Sequence, residues 1–236
     1  QSFVYLLLVA WPVMGLAGSF VMIELGGVWQ GRNDAQIPSD SGTSLEFNEF
    51  DRGPFFHHRV EAVWNLHRRH HLRGVYAPFS ISVSGRPPRS VFFNEENFVP
   101  SQDLDVHYRF NSYRVTYFYS LIHSEESQWS VGLTGKVRDA EISYSQGERS
   151  STYDNMGFVP LVYVEWIQQL SDFWSIQFQA DLAAASQGRA IDAVLKSTHR
   201  LGERYDVGYG YRVLEGGADN DTVRTFSLFH YAVLDF

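Results

Sequence analysis

The stretch WSIQFQADLAA (174–184) decides the fold. Trp174, Ile176, Phe178, Ala180, Leu182 and Ala184 hold one parity, while Ser175, Gln177, Gln179, Asp181 and Ala183 hold the other. Successive side chains of a strand point to opposite faces, so period two predicts a strand with one apolar and one polar face. Residues 204–214 repeat the pattern: Tyr205, Val207, Tyr209, Tyr211 and Val213 alternate with Asp206, Gly208, Gly210 and Arg212. At the other end of the chain Val21, Ile23, Leu25 and Trp29 oppose Glu24, Gly26, Gln30 and Arg32. No segment after residue 20 carries a sustained helical period.

Working outward, such segments fall at 20–31, 55–66, 71–83, 105–122, 128–144, 155–168, 173–185, 189–199, 204–215 and 222–236. Ten strands are expected, with eight as the alternative if one of the shorter segments near 189–199 is miscounted. Several are longer than the strands of soluble proteins and match the ~9–11 residues of a tilted membrane strand. Long polar connections at 32–54 and 84–104 and shorter ones at 145–154, 186–188 and 216–221 alternate with tight turns at 67–70, 123–127, 170–172 and 201–203. Long loops at one end and short turns at the other are the pattern of a transmembrane β-barrel, whose even strand count returns both termini to the periplasmic end.

The second face is charged. On the polar parity stand the acids Glu24, Glu61, Glu165, Asp181, Asp192 and Asp206, and the bases Arg59, Arg114, Lys136, Arg138, Lys196 and Arg212. A soluble core would not hold twelve charges, so this face lines a lumen and the apolar face meets lipid. Balanced charge in a narrow barrel predicts mutual ion pairing that fills the lumen. Asp139 and Glu141 join this face only if a bulge follows Arg138. Tyr117, Tyr119, Trp64, Trp129, Trp166 and Trp174 lie beside the short turns, where an interfacial aromatic girdle belongs.

The chain has no cysteine, which excludes a disulfide framework and Cys-ligated zinc. A formal net charge of -8 excludes a general nucleic-acid binder. The long apolar run, FVYLLLVAWPVMGL (3–16), is too short and too Pro-broken for a transmembrane helix. Together with LAGS (16–19) it reads as the hydrophobic region and cleavage zone of a secretory signal, giving a signal segment 1–19 and one barrel domain 20–236.

The chain closes on YAVLDF, with Phe226, Leu228, Ala232, Leu234 and Phe236 on one parity. This resembles the terminal strand of small bacterial outer-membrane β-barrels, and the likeness extends at superfamily level over 20–236. The resemblance implies an outer-membrane location, contact with outer-membrane lipid and lipopolysaccharide, and insertion by the barrel-assembly machinery reading Phe236 and Leu234. A monomer is expected. His230 departs from the pattern by falling on the lipid-facing parity at mid-strand.

Three roles are carried forward. The first is a non-enzymatic barrel with an ion-paired lumen, structural or binding through loops 32–54 and 84–104. The second is a narrow pore for ions or small solutes through the same lumen. The third is an outer-rim hydrolase acting on lipid or peptide. For a hydrolase the rim offers His57, His58, Asp34, Asp219 and Asp221, or His107 with Ser101, but no local motif assembles them. No catalytic residue and no cofactor is assigned. His67, His70 and His71 read as a basic solvated turn. Asp219 and Asp221 are weak cation candidates in a turn whose composition also suits a plain hairpin. Phe92, Phe93 and Phe98 set the loop 84–104 apart as one that folds over the mouth or meets a partner.

Overall fold

A computed structural model describes residues 19–185, 188–202 and 204–236. The segment read as a cleaved signal lies outside the described residues except for Ser19. The elements in chain order are β1 (Phe20–Gln36), β2 (Leu45–Glu46), a 3-10 turn (Phe47–Glu49), β3 (Phe55–His67), β4 (His70–Ala77), β5 (Ser80–Gly85), β6 (Val91–Phe93), β7 (Glu96–Phe98), β8 (Leu104–His123), β9 (Ser127–Gln146), β10 (Arg149–Ser171), β11 (Trp174–Ala185), β12 (Gly188–Arg200), β13 (Asp206–Asp219) and β14 (Arg224–Asp235).

Each long strand pairs antiparallel with its chain neighbour, and β14 pairs with β1 to close the sheet. β4 and β5 are two halves of one barrel strand. Pro78 interrupts the ladder because it has no N–H, yet the register against β8 is the same on both sides (Ala77 opposite Ser112, Ser80 opposite Arg109). The result is a closed barrel of ten strands, as the alternation predicts.

The strands differ in height. β8, β9 and β10 have 20, 20 and 23 residues, against 12 in β11 and 13 in β12. At about 3.3 Å per residue, twenty residues run roughly 66 Å, far more than a tilted strand needs to cross an apolar band about 25 Å tall. The outward side chains mark where the tall strands leave it. On the lipid face they read Tyr117, Val115, Tyr113 in β8, Val131, Leu133, Val137 in β9 and Val162, Phe158, Met156 in β10, all exposed. Continuing outward, the same parity becomes Asn111, Arg109, His107; Asp139, Glu141, Ser143; and Asp154, Thr152.

The inner face inverts at the same level, from charged below to Val106, Tyr108, Ile142 and Tyr144 above, all buried. No register shift accompanies the inversion. The bulge that would have turned Asp139 and Glu141 inward is absent: both point outward, above the membrane, where Arg109 pairs with them at 3.3 and 3.0 Å. Parity is unchanged; only the surrounding solvent has changed.

Above the membrane, and among the described residues, Arg149–Leu161 of β10 pair with β9 on one side only, because β11 meets β10 first at Val162 opposite Leu182. β1 does change parity, through a bulge at Gly31 between Gln30 and Arg32. The strand therefore continues past its expected end, with Asn33 and Ala35 inward and Arg32 outward.

Candidate functional site

The barrel interior has two layers within the described residues. The lower layer is ionic. Of the predicted acids, Glu24, Glu61, Glu165, Asp181 and Asp192 are buried in the lumen, as are the predicted bases Arg59, Arg114, Lys136, Lys196 and Arg212. Arg212 on β13 donates to both oxygens of Glu24 (Nε–Oε1 3.0 Å, Nη2–Oε2 2.5 Å) and to Asp192 Oδ1 (2.5 Å). Arg59 reaches Asp192 at 3.0 Å and Glu61 at 3.4 Å. Arg114 spans Asp181 at 2.8 Å and Asp192 at 2.6 Å. Thr134 Oγ1 donates to the remaining oxygen of Asp181 at 2.7 Å. The contacts of Arg59 with Asp192 and of Arg114 with Asp181 and Asp192 cross the lumen from β3 and β8 to β11 and β12, so they tie opposite walls together.

Two predicted members sit elsewhere. Asp206 keeps the inward parity but is the first residue of β13, at the open periplasmic rim, where it is exposed and pairs with Arg200 at 3.8 Å. Arg138 is also on the inward parity, but it lies where β10 has lost its β11 neighbour, and its Nη2 donates to Asn155 Oδ1 at 2.5 Å. Their places are taken by two residues the sequence reading omits. Arg73, fully buried, pairs with Asp181 at 2.6 Å and Glu61 at 3.8 Å and lies over the Tyr163 ring. Asp235 pairs with Lys196 at 2.8 Å. The exchange preserves the balance of six lumenal acids and six bases. Both had a signal: Arg73 shares the parity of His71 and Val75, and Asp235 that of Val233 and Tyr231. His57 is a further addition, its Nε2 3.2 Å from Glu24 Oε1.

Two members stand apart from the pairing. Lys136 lies over the Phe110 ring at 4.8 Å and forms no ion pair among the described residues. Among the described residues Glu165 has only neutral partners: Tyr163 Oη, Gln177 Nε2, Gln179 Nε2 and Gln128 Nε2 donate to it at 3.0, 2.9, 3.4 and 3.3 Å.

The upper layer is apolar. The polar connections expected at 32–54 and 84–104 both turn back into the mouth, as the phenylalanines of the second one suggest. Ile37, Leu45 and Phe47 from one and Val91, Phe93 and Phe98 from the other are buried against Val106, Tyr108, Ile142 and Tyr144. Phe93 stacks on Tyr144 with ring centroids 3.9 Å apart, and Phe47 meets the same ring edge-on at 6.0 Å. The loops are stitched together by paired bonds between Thr43 and Phe92 (Thr43 N to Phe92 O 2.8 Å, Phe92 N to Thr43 Oγ1 3.0 Å). Gln146 holds Val99 from both sides, at 2.8 Å each. Phe93 and Phe98 thus close the mouth, while Phe92 is half-buried.

The remaining candidates scatter. His58 is exposed beside Phe56, Asp34 pairs with Arg32, and Asp219 pairs with Arg224 at 3.2 Å. His107 Nδ1 meets Ser82 Oγ, not Ser101, at 3.0 Å; among the described residues no carboxylate bonds to His107. No group of three or more His, Asp or Glu among the described residues is arranged to hold a metal ion. His230 does face outward, and its Nδ1 is satisfied by Tyr211 Oη at 2.5 Å.

No protein-family model matches the chain, and no curated protein matches it. Among solved structures, Ail, the attachment invasion locus protein of Yersinia pestis, aligns over 93% of this chain and 99% of that chain at 9% identity, with a TM-score of 0.41. Neisserial surface protein A aligns over 92% and 97% at 11% identity, with a TM-score of 0.35. The outer membrane protease OmpT of Escherichia coli aligns over 92% and 96% at 9% identity, with a TM-score of 0.57. At that identity the likeness is one of architecture: the chain has the closed-barrel fold of bacterial outer-membrane proteins.

Proposed function

We propose that the chain is a closed, non-conducting outer-membrane barrel with a structural or binding role at its outer end. The observation that carries this reading is the double closure of the lumen. A solute would have to part the ion-paired layer around Arg114, Asp181 and Asp192, then the apolar layer around Phe47, Phe93 and Tyr144. Breaking a buried ion pair costs about 3–5 kcal/mol, and each layer contains several contacts. A conducting constriction would instead keep charges of one sign hydrated.

The loops 32–54 and 84–104, the first candidates for a binding surface, have spent most of their apolar residues on the plug. The surface left for a partner is the outward wall of β8–β10, where Asp105, Arg109, Asp139, Glu141 and Asp154 rise beyond the lipid band. A hydrolase finds less support, because the Ser82–His107 pair has no carboxylate to orient the imidazole.

Single-channel recording of the refolded barrel tests the reading. Silence with a folded barrel is expected, and steady openings would replace it with the pore.

A further inference from the structure

Below the ionic layer the lumen opens toward the periplasm as a cavity of about 460 Å³. That is the size range of small-molecule sites. Its inner end holds the Glu165 carboxylate, 6% exposed. Every other lumenal acid in this barrel faces an arginine, lysine or histidine, whereas Glu165 is met by one tyrosine hydroxyl and three glutamine amides. Neutral donors orient a carboxylate without supplying a counter-charge, which leaves that place for an incoming cation.

One wall is aromatic. His71 stacks on Phe118 at 4.7 Å and is fixed by Asn65 Oδ1 at 2.6 Å and Ser120 Oγ at 3.0 Å. Phe118, His71 and Glu165 line the same cavity, a combination of aromatic rings and a carboxylate that suits an ammonium group. The mouth has the opposite character, with Arg68, His67 and His123 at the short turns. The cavity is thus acidic at its floor and basic at its entrance.

We infer that this cavity binds a small zwitterion, a free amino acid or short peptide, with its ammonium on Glu165 and its carboxylate toward Arg68. The ligand enters from the periplasm and leaves the ionic layer above it unbroken, so binding is independent of whether the barrel conducts.

The test uses the refolded full-length barrel in uncharged micelles, titrated with trialanine, N-acetyl-trialanine and trialanine amide by calorimetry. Trialanine is expected to bind, and blocking either end should weaken it about tenfold, the size of one charge-assisted hydrogen bond. Glu165→Gln should bind the free and acetylated peptides alike. Arg68→Gln, at the exposed mouth where folding is not at stake, should bind the free peptide and the amide alike. Absence of trialanine binding to the folded barrel overturns the site, as does acetylation without effect. If amidation alone has no effect, the zwitterionic assignment falls.

Discussion

Arg212 and Glu24 face each other across β14, the strand that closes the barrel, and share two parallel hydrogen bonds of 3.0 and 2.5 Å. A planar guanidinium matched to a carboxylate in this way fixes both distance and orientation. The pair therefore clasps the seam at which the first and last strands meet.

Removing one half of the clasp should cost far more than the clasp contributes. Arg212→Ala leaves Glu24 and Asp192 buried without their main partner, and we expect a loss of about 3–5 kcal/mol. Arg212→Lys keeps the charge but loses the fork, and should fall between the two. Urea unfolding of the barrel in lipid vesicles measures both.

The two closures of the lumen predict non-additive conductance. Phe93→Ala removes the stack on Tyr144 and should destabilise the outer end by about 3–5 kcal/mol, yet leave the barrel silent in a planar bilayer. Openings should appear only when Arg114→Ala is combined with it. A channel in the Phe93 variant alone would show that the ionic layer does not seal.

Gly31 and His230 are coupled. A Cβ on Gly31 would lie 2.7 Å from His230 Nε2, and the imidazole is held in place by Tyr211. Gly31→Ala should cost about 1–3 kcal/mol, and His230→Ala should relieve most of that penalty in the double variant. The cycle is read from midpoints of denaturant unfolding.

Phe236 is bonded to Ile23 through backbone alone, N to O at 3.0 Å in both directions, while its ring lies exposed on the lipid face. Phe236→Ala should therefore refold in vitro with stability within about 1 kcal/mol of the parent, because surface truncations cost little. Yield of assembled barrel in cells should drop, as expected for a side chain read by the insertion machinery. Equal yields would remove that role.

The alternation of β11 and β13 made the barrel legible, because lipid on one side and packed charge on the other enforce period two along the whole strand. The same rule identified ten of the twelve lumenal charges. It missed Arg73 because the neighbouring histidines and arginines read as one solvated turn, and Asp235 because it lies inside the aromatic ending of the chain. It included Arg138 and Asp206 because parity gives direction and not depth: both point inward, but at levels where the wall is incomplete.

The plug was the least visible part. Phe93 and Phe98 marked the second loop, but Ile37, Leu45 and Phe47 are scattered among polar residues without a period, and only tertiary closure brings them together. The inversion of faces in LDVHYRF (104–110), apolar residues moving from the lipid parity to the lumenal one, was the available sign that the strand had left the membrane.

A ring of strands normally has no beginning or end, which protects membrane barrels from sticking to other sheets. This one is a ring only as far up as lipid surrounds it. Beyond Val162 the last tall strand, Arg149–Leu161, has no second strand partner among the described residues, and near its tip the 86–103 loop stands in, Asn94 bonding the Thr152 carbonyl at 2.9 Å. Where the ring stops, this barrel takes on the problem of an open sheet, and it meets that problem as soluble proteins do, by laying a loop against the exposed end of the strand.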